Sequence, residues 1–404
     1  MVTTDPIIIA GAGPAGSVLA LYLGQRGIPV VLLEKEARLP IDLRASTFHP
    51  PSLEMIDKLG EGIIDDMIGM GLIADRYQYR DRRTNEVATF QMKYLQGETK
   101  YPFRLQLEQY EFTFLANRAM QKYPNIDVLF GSELVNFAQD EDGVTATVKT
   151  ESGHESIRGA FLVGTEGAHS VCRKLCGIGY GGFTYDERFL VVSTSFRFED
   201  VFDDLSYVNY VSDPEEWCVI LRTDKLWRVL VPATPDSEND ETFLLSDVFI
   251  QERLHHLYNK RGDYDIAHRT LYSVNQRVAE TYYNGRVVLA GDACHINNPL
   301  GGMGMNGGIH DAYNLAQKMK AIVVNGADHI GKFEHYNRQR RDLAVRFVQE
   351  HTIANKKLME ATDTYTQNSR QKLLMESAAD PVKAKAFLME RAMINCVRDS
   401  EAVA

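Results

Sequence analysis

Apolar positions are distributed along this chain in three patterns. Short unbroken aliphatic runs occur at Ile7–Ala10, Pro29–Glu34, Phe161–Val163 and Arg286–Ala290. Runs without polar alternation are expected of strands covered on both faces, as in a parallel sheet. Between 185 and 279 the pattern becomes alternating, as in SYVNYV, WCVILR and LWRVLVP, which predicts antiparallel strands with a hairpin turn at Thr223–Lys225. Helical periodicity is expected over 14–26, over 50–60 after Pro50-Pro51, over 107–122 and 246–261, from about 307 to 325, and almost throughout 332–398. Strand-like pieces lie in 74–104, and strands are expected over Ile126–Thr150 around a turn at Asp140–Gly143.

The first strand, helix and second strand form a β-α-β unit, and the aliphatic strand near 286 belongs with it. The alternating segment is therefore an insertion within a discontinuous α/β domain. Composition narrows the class. A net charge of -11 argues against a nucleic-acid partner, whose phosphates demand a basic surface. No aliphatic run approaches the roughly 20 residues of a membrane span, and the N-terminus shows no basic region followed by an apolar one, so a cytoplasmic location is expected. The five cysteines are odd in number and irregular in spacing. Cys172 and Cys176 have no second pair at metal-site spacing, so reduced structural thiols are expected and no metal.

Candidate chemistry begins at Gly11-Ala12-Gly13-Pro14-Ala15-Gly16, a G-x-G-x-x-G turn that follows a strand and opens a helix. In such a turn the first glycine permits the bend, the second lets backbone approach a pyrophosphate, and the third lets helix pack on strand. The helix N-terminus favours the phosphates. Glu34, with Lys35 beside it, closes the second strand where an acid can accept from ribose hydroxyls. A second element is RVVLAGDACHINNPLGGMGMNGGIHDAYNLA, residues 286–316. Its strand delivers Asp292 to a position suited to a polyol or ribose. Its glycine-rich loop then places Gly301, Gly304, Met305 and Asn306 at a helix start, where backbone dipoles stabilise negative charge on a flat ligand. The GMGMNG string within it lies too far from its strand to be a second dinucleotide turn, so no second nucleotide domain of the disulfide-reductase kind is expected.

Taken together these segments resemble the flavoprotein aromatic hydroxylases, the family of para-hydroxybenzoate hydroxylase, from the N-terminus to about residue 320. The family's G-A-D-G-x-x-S-x-x-R stretch is matched by Gly164 to Arg173, with Thr165 for alanine and Glu166 for aspartate. Arg44 and Gln109 sit where the family places an arginine and a glutamine that contact FAD. The resemblance implies an α/β fold. A Rossmann-like FAD-binding domain would comprise 1–73, 102–184 and 280–331, an antiparallel-sheet substrate domain 74–101 and 185–279, and C-terminal helices 332–404. It implies non-covalent FAD, NADPH or NADH as co-substrate, dioxygen, and hydroxylation of an activated aromatic or N-heteroaromatic small molecule through a flavin hydroperoxide, in a monomer or homodimer. It also suggests that the backbone carbonyl of Pro299 faces the substrate and that His295 is structural. Tyr207, Tyr210, Trp217, Arg222 and Arg228 are candidates for the pocket floor, although alternation alone does not say which face is inward. Coenzyme handling by the Glu166 stretch is the function its departure puts in question. Other readings are an epoxidase or reductase of the same superfold and a non-catalytic flavin module. A halogenase is disfavoured, since neither Trp217 nor Trp227 lies in a W-x-W-x-I-P context.

Overall fold

The computed structural model describes residues 5–404 apart from 42, 44, 214–215, 234–240 and 360–362. The aliphatic runs assemble as expected into a parallel sheet. Its order is Tyr283–Asn284, Val287–Leu289, Phe161–Gly164, Ile7–Ala10, Val30–Leu33 and Ile126–Leu129, with only the Tyr283–Asn284 edge antiparallel. Every residue of the three central strands is buried. Helices Pro14–Gly24 and Met303–Asn325 pack against each other. Small residues allow it: a methyl group on Gly291 would lie 3.3 Å from the Ala15 side chain and 3.6 Å from Gly308 Cα.

A three-stranded antiparallel sheet follows, made of Glu133–Gln139, Val144–Thr150 and Gly153–Gly159. Its last strand, GHESIRG, is mostly exposed. It carries no apolar alternation, which is why the expected strands stopped at Thr150.

The inserted sheet has eight strands in the order His295–Ile296, Ile266–Ala279, Tyr180–Thr194, Trp227–Ala233, Cys218–Arg222, Val208–Ser212, Arg76–Asp81 and Val87–Gln91. The hairpin at 223–225 forms as expected, with Thr223 N–H donating to Leu226 O at 2.9 Å. One pairing departs from the antiparallel expectation: Val208–Ser212 runs parallel to Arg76–Asp81. Both faces of this sheet are buried. Tyr77, Tyr79, Phe90, Tyr210, Trp217 and Leu230 share a cluster with Leu300 and with Met359, Ala384 and Leu388 of the C-terminal helices. Cys218, Ile220, Trp227 and Val229 instead meet Phe249, Ile250 and Leu254 of helix Asp247–Leu257. Alternation marked no inward face because each face has its own cover.

The described residues after 332 are mostly helical, as expected. Its C-terminal helices, Glu350–Met359, Thr364–Ala379, Pro381–Arg391 and Ile394–Ala402, form a layer over the tyrosine face of the sheet. Asp380 starts one of them by accepting from Val382 N and Lys383 N, ahead of a proline at the first helical position. Among the described residues no helix is long and apolar enough to cross a membrane.

Candidate active site

The three glycines of the first turn have different reasons to be glycine. Gly11 has φ +102°, and a Cβ there would lie 2.7 Å from Thr165 O. A Cβ on Gly16 would lie 2.0 Å from Gly11 O and 2.8 Å from Thr165 Oγ1. Both are demanded by the protein's own packing. Gly13 is extended, and among the described residues beyond its chain neighbours a Cβ on it meets nothing within 4 Å. The space in front of Gly13 lies at the N-terminus of helix Pro14–Gly24, which has no side-chain cap. Glu34 is buried at the rim, accepting from Ala12 N and Glu36 N at 3.0 Å each. Lys35 is exposed and lies 3.7 Å from Glu36.

The departures in the second motif have structural partners. The Thr165 hydroxyl lies 2.7 Å from Ala10 O and 2.8 Å from Gly11 O, tying this segment to the first turn. Glu166 turns its carboxylate back into its own segment, accepting from Ser170 Oγ and Cys172 N at 2.8 Å each. Its side chain is therefore a helix-start acceptor, and what this turn offers a cofactor is backbone. Burial pushes the Cys172 thiol well up, and Glu166 adds to the shift, so this cysteine is a protonated core residue. Arg173 joins the second motif to the third, donating to Ala168 O at 2.7 Å and Ala293 O at 3.0 Å while stacking over Tyr180.

In the third motif Gly291 bends the chain with φ +67° and Asp292 emerges exposed. Tyr180 OH donates to Asp292 O at 2.9 Å, fixing the backbone from which that carboxylate projects. Behind the turn lies a fully buried network. Asp311 meets His295 Nε2 at 2.7 Å and Arg340 Nε at 2.6 Å, and accepts from Gly291 N at 3.2 Å. His295 is thus buried within this network.

In the loop beyond, Pro299 and Asn306 both have partners within the protein. The Pro299 carbonyl accepts from Gly302 N at 3.0 Å within the loop's own turn. The Asn306 side chain is buried and engaged with protein: it accepts from His49 N at 2.8 Å and donates to Thr47 O at 2.8 Å and Gly302 O at 2.6 Å. Only its backbone remains for a ligand. The helix begins at Met303, earlier than expected, after Gly301 and Gly302 with φ +101° and +66°. Glycines inside the first turns of that helix hid its start from periodicity. Met305 is partly buried against the main core, and a Cβ on Gly304 would lie an ordinary 3.4 Å from Asn297 Oδ1. His49 Nε2 lies 2.8 Å from Gly301 O. Burial, then Arg104, holds His49 well below the usual histidine range, so it is neutral and donates to that carbonyl.

The substrate-side candidates separate. Tyr210 lies in the cluster that contains Leu300, beside Pro299. Arg222 lies 3.8 Å from Glu199 and over Trp227, on the opposite face, and Tyr207 is 40% exposed outside both clusters. Those two are not brought to the loop. Arg228 is already paired with Glu108 at 2.7 Å, linking the sheet to helix Gln109–Met120. Gln109 is the first residue of that helix and donates its N–H to Ala45 O. Arg44 lies outside the described residues. Sequence reasoning missed Arg104, His49, Asp311 and Arg340. No local pattern marks them, because their partners are distant in the chain.

The open, Asp292-flanked cradle sets a first expectation. Asp292→Ala should lose FAD affinity by about 1.5–3 kcal/mol, the worth of a hydrogen bond to a charged group. Equilibrium titration with FAD measures it, and unchanged affinity would place the ribityl chain elsewhere.

Comparison with known proteins agrees with this geometry. Residues 4–351 match the family model described as FAD binding domain. The chain is 30% identical to para-nitrophenol 4-monooxygenase of Pseudomonas sp. strain WBC-3, over 98% of this chain and 97% of that one. It is 29% identical to 6-hydroxy-3-succinoylpyridine 3-monooxygenase of Pseudomonas putida strain S16, over 79% and 80%. The crystal structure of p-nitrophenol 4-monooxygenase from Pseudomonas putida DLL-E4 superposes with a TM-score of 0.90 at 28% identity, covering 98% of this chain and 99% of that one.

Proposed function

The chain belongs to the FAD-dependent aromatic monooxygenases, and from that premise we propose that it uses NADPH or NADH and dioxygen to hydroxylate a small activated aromatic or N-heteroaromatic compound. The observation that carries the substrate side of this reading is one juxtaposition. Leu300, in the loop that opens helix Met303–Asn325, packs in the same cluster as Tyr77, Tyr79 and Tyr210 of the inserted sheet. Aromatic walls favour a flat ring in offset or edge contact. The ring systems named in the two curated relatives, a nitrophenol and a hydroxylated pyridine, support the same class.

The residues present fit FAD. The open space before Gly13 suits a pyrophosphate, Glu34 and Asp292 would take the ribose and ribityl hydroxyls, and the N-terminus of helix Met303–Asn325 would suit the pyrimidine edge. Bound there, FAD supplies the activation of dioxygen and the transfer of one oxygen atom. The protein's contribution is placement and exclusion of water. Asn306 ties the helix start to Thr47 and His49. Buried Leu300 and its aromatic neighbours make the substrate side apolar, which protects a reactive oxygen from water. No protein nucleophile is required.

The test is a screen of phenols, aminobenzoates and hydroxylated N-heterocycles for stimulated NADH and NADPH oxidation, with product masses. A protein that forms only hydrogen peroxide with every compound would overturn the proposal. Gly301 gives a sharper expectation. A methyl group there is strained by φ +101° and would lie 2.9 Å from Asn355 Nδ2. Gly301→Ala should therefore shift the loop. FAD-loaded variant should consume coenzyme while yielding more peroxide and less hydroxylated product per coenzyme oxidised. Gly304→Ala, with room for its methyl at 3.4 Å, serves as the control and should stay closer to the parent ratio.

A further inference from the structure

Among the described residues four arginines are at most 5% exposed; two of them are paired with carboxylates and a third is bonded to two backbone carbonyls. Arg340 holds Asp311 at 2.6 Å, Arg228 holds Glu108 at 2.7 Å, and Arg173 donates to two backbone carbonyls. Arg104 is the exception. It is 2% exposed, and among the described residues no carboxylate lies within ion-pair range of it. Its hydrogen bond to Arg391 O is long at 3.4 Å, its Nε has no partner, and its other side-chain partner is the neutral Tyr210 hydroxyl rather than a carboxylate. What surrounds it is aromatic: its guanidinium stacks 4.2 Å over Tyr77, which meets Tyr210 edge-on at 6.2 Å, and Tyr210 stacks on Tyr79 at 4.9 Å. Burial drives the Tyr77 phenol well up and the Tyr79 phenol to about 12, so neither is an anion at neutral pH. Arg391, beside it, adds a second cation with a buried unpartnered Nη1.

The strand Arg104–Gln106 sets this charge next to the loop. Gln106 bonds Thr47 at 3.0 Å, a Cβ on Gly302 would lie 3.2 Å from Thr47, and Leu300 shares the cluster of Tyr77 and Tyr210. A buried guanidinium without a counter-charge is costly, and a site that keeps one gains most by receiving an anion. We propose that Arg104 is the substrate-specificity residue of this site, receiving the anionic oxygen group of a small aromatic substrate whose ring lies against Tyr210 and Leu300. The planar fork suits a carboxylate or an ionised phenol such as a nitrophenolate, which present oxygen to two N–H groups or one. This inference rests on the proposed hydroxylase reading for the identity of the site, but its test needs no turnover.

The experiment titrates oxidised, FAD-loaded protein with 4-hydroxybenzoate and with its neutral isostere 4-hydroxybenzamide, and separately with 4-nitrophenol and 4-cresol, following the flavin absorbance difference. The charged member of at least one pair should bind more tightly, and which pair responds distinguishes a carboxylate from a nitrophenolate. Arg104→Met should weaken that charged ligand by about 30-fold or more, roughly 2 kcal/mol at 1.4 kcal/mol per tenfold, and leave the neutral one nearly unchanged. Arg104→Lys keeps the charge and loses the fork, so it should retain part of the preference. FAD affinity should not change in either variant. Equal affinity within both pairs for the parent protein, or an undiminished preference in Arg104→Met, overturns the inference. If Arg104→Met does not fold, Arg104→Lys decides: an undiminished preference for the charged ligand overturns the proposal, and a reduced or lost preference supports it. A protein that binds charged aromatics but hydroxylates none of them refutes the proposed reaction and leaves the Arg104 assignment standing. A hydroxylase indifferent to ligand charge does the reverse.

Discussion

Gly13→Val should give a folded, soluble and colourless protein that FAD cannot restore. The expectation combines two facts about one position. Gly13 has φ -69° and ψ -176°, a conformation any residue adopts, and among the described residues, its chain neighbours apart, no atom lies within 4 Å of where its Cβ would stand. Nothing in the fold therefore requires glycine here. A pyrophosphate approaching the backbone does, because a branched side chain fills the space it needs. The variant should melt within a few degrees of the FAD-free parent, since valine at the start of a helix costs on the order of 1 kcal/mol against a better cap. Gly16→Val is the contrast. Its Cβ would stand 2.0 Å from Gly11 O, so that variant should lose stability itself, by at least the roughly 1–3 kcal/mol of an overpacked core. Thermal melts with and without FAD, together with the flavin absorbance of the purified protein, separate the two. A Gly13→Val protein that binds FAD like the parent would show that the pyrophosphate does not lie against this turn.

The same two glycines show how far the sequence alone could be read. The strand–turn–helix context identified the turn and its three glycines, because local spacing fixes which backbone must bend and which must approach. It also marked the short parallel strands, whose residues are buried on both sides and so lack alternation. Local spacing failed wherever a residue's role depends on a partner far along the chain. Spacing set Asn306 at a helix start, but it did not show that its side-chain amide is tied to Thr47 and His49, some 250 positions earlier. Arg222 and Arg228 looked equivalent on alternating strands. Tertiary packing sends the first toward Glu199 and pairs the second with Glu108. Arg104 carried no motif at all. Its isolation from carboxylates is a property of three-dimensional surroundings that one-dimensional pattern does not encode.

Removing the buried cation behind the third motif should have the largest effect on stability. Arg340→Met leaves Asp311, which is 0% exposed, without its main counter-charge. Breaking a buried pair from one side costs about 3–5 kcal/mol. Asp311 also accepts from Gly291 N and meets His295, so the turn that presents Asp292 should loosen and FAD affinity should fall with stability. The pH dependence gives the sign. Burial alone would raise the Asp311 carboxyl, but Arg340 and His295 outweigh it and hold it below the usual carboxylate value. A carboxyl depressed by folding contributes stability that is fully present above its unfolded pKa of about 3.9 and is lost as pH falls through the folded value. In Arg340→Met that contribution is diminished, so the gap in melting temperature between parent and variant should be widest near neutrality and narrow below about pH 4. Asp311→Asn combined with Arg340→Met should recover much of the loss, because the uncompensated charge is gone. The double-mutant cycle should therefore show a coupling well above the roughly 0.5 kcal/mol scatter of independent sites. Additive effects, or a gap that does not change with pH, would mean that Arg340 supports the fold through packing rather than through the charge on Asp311.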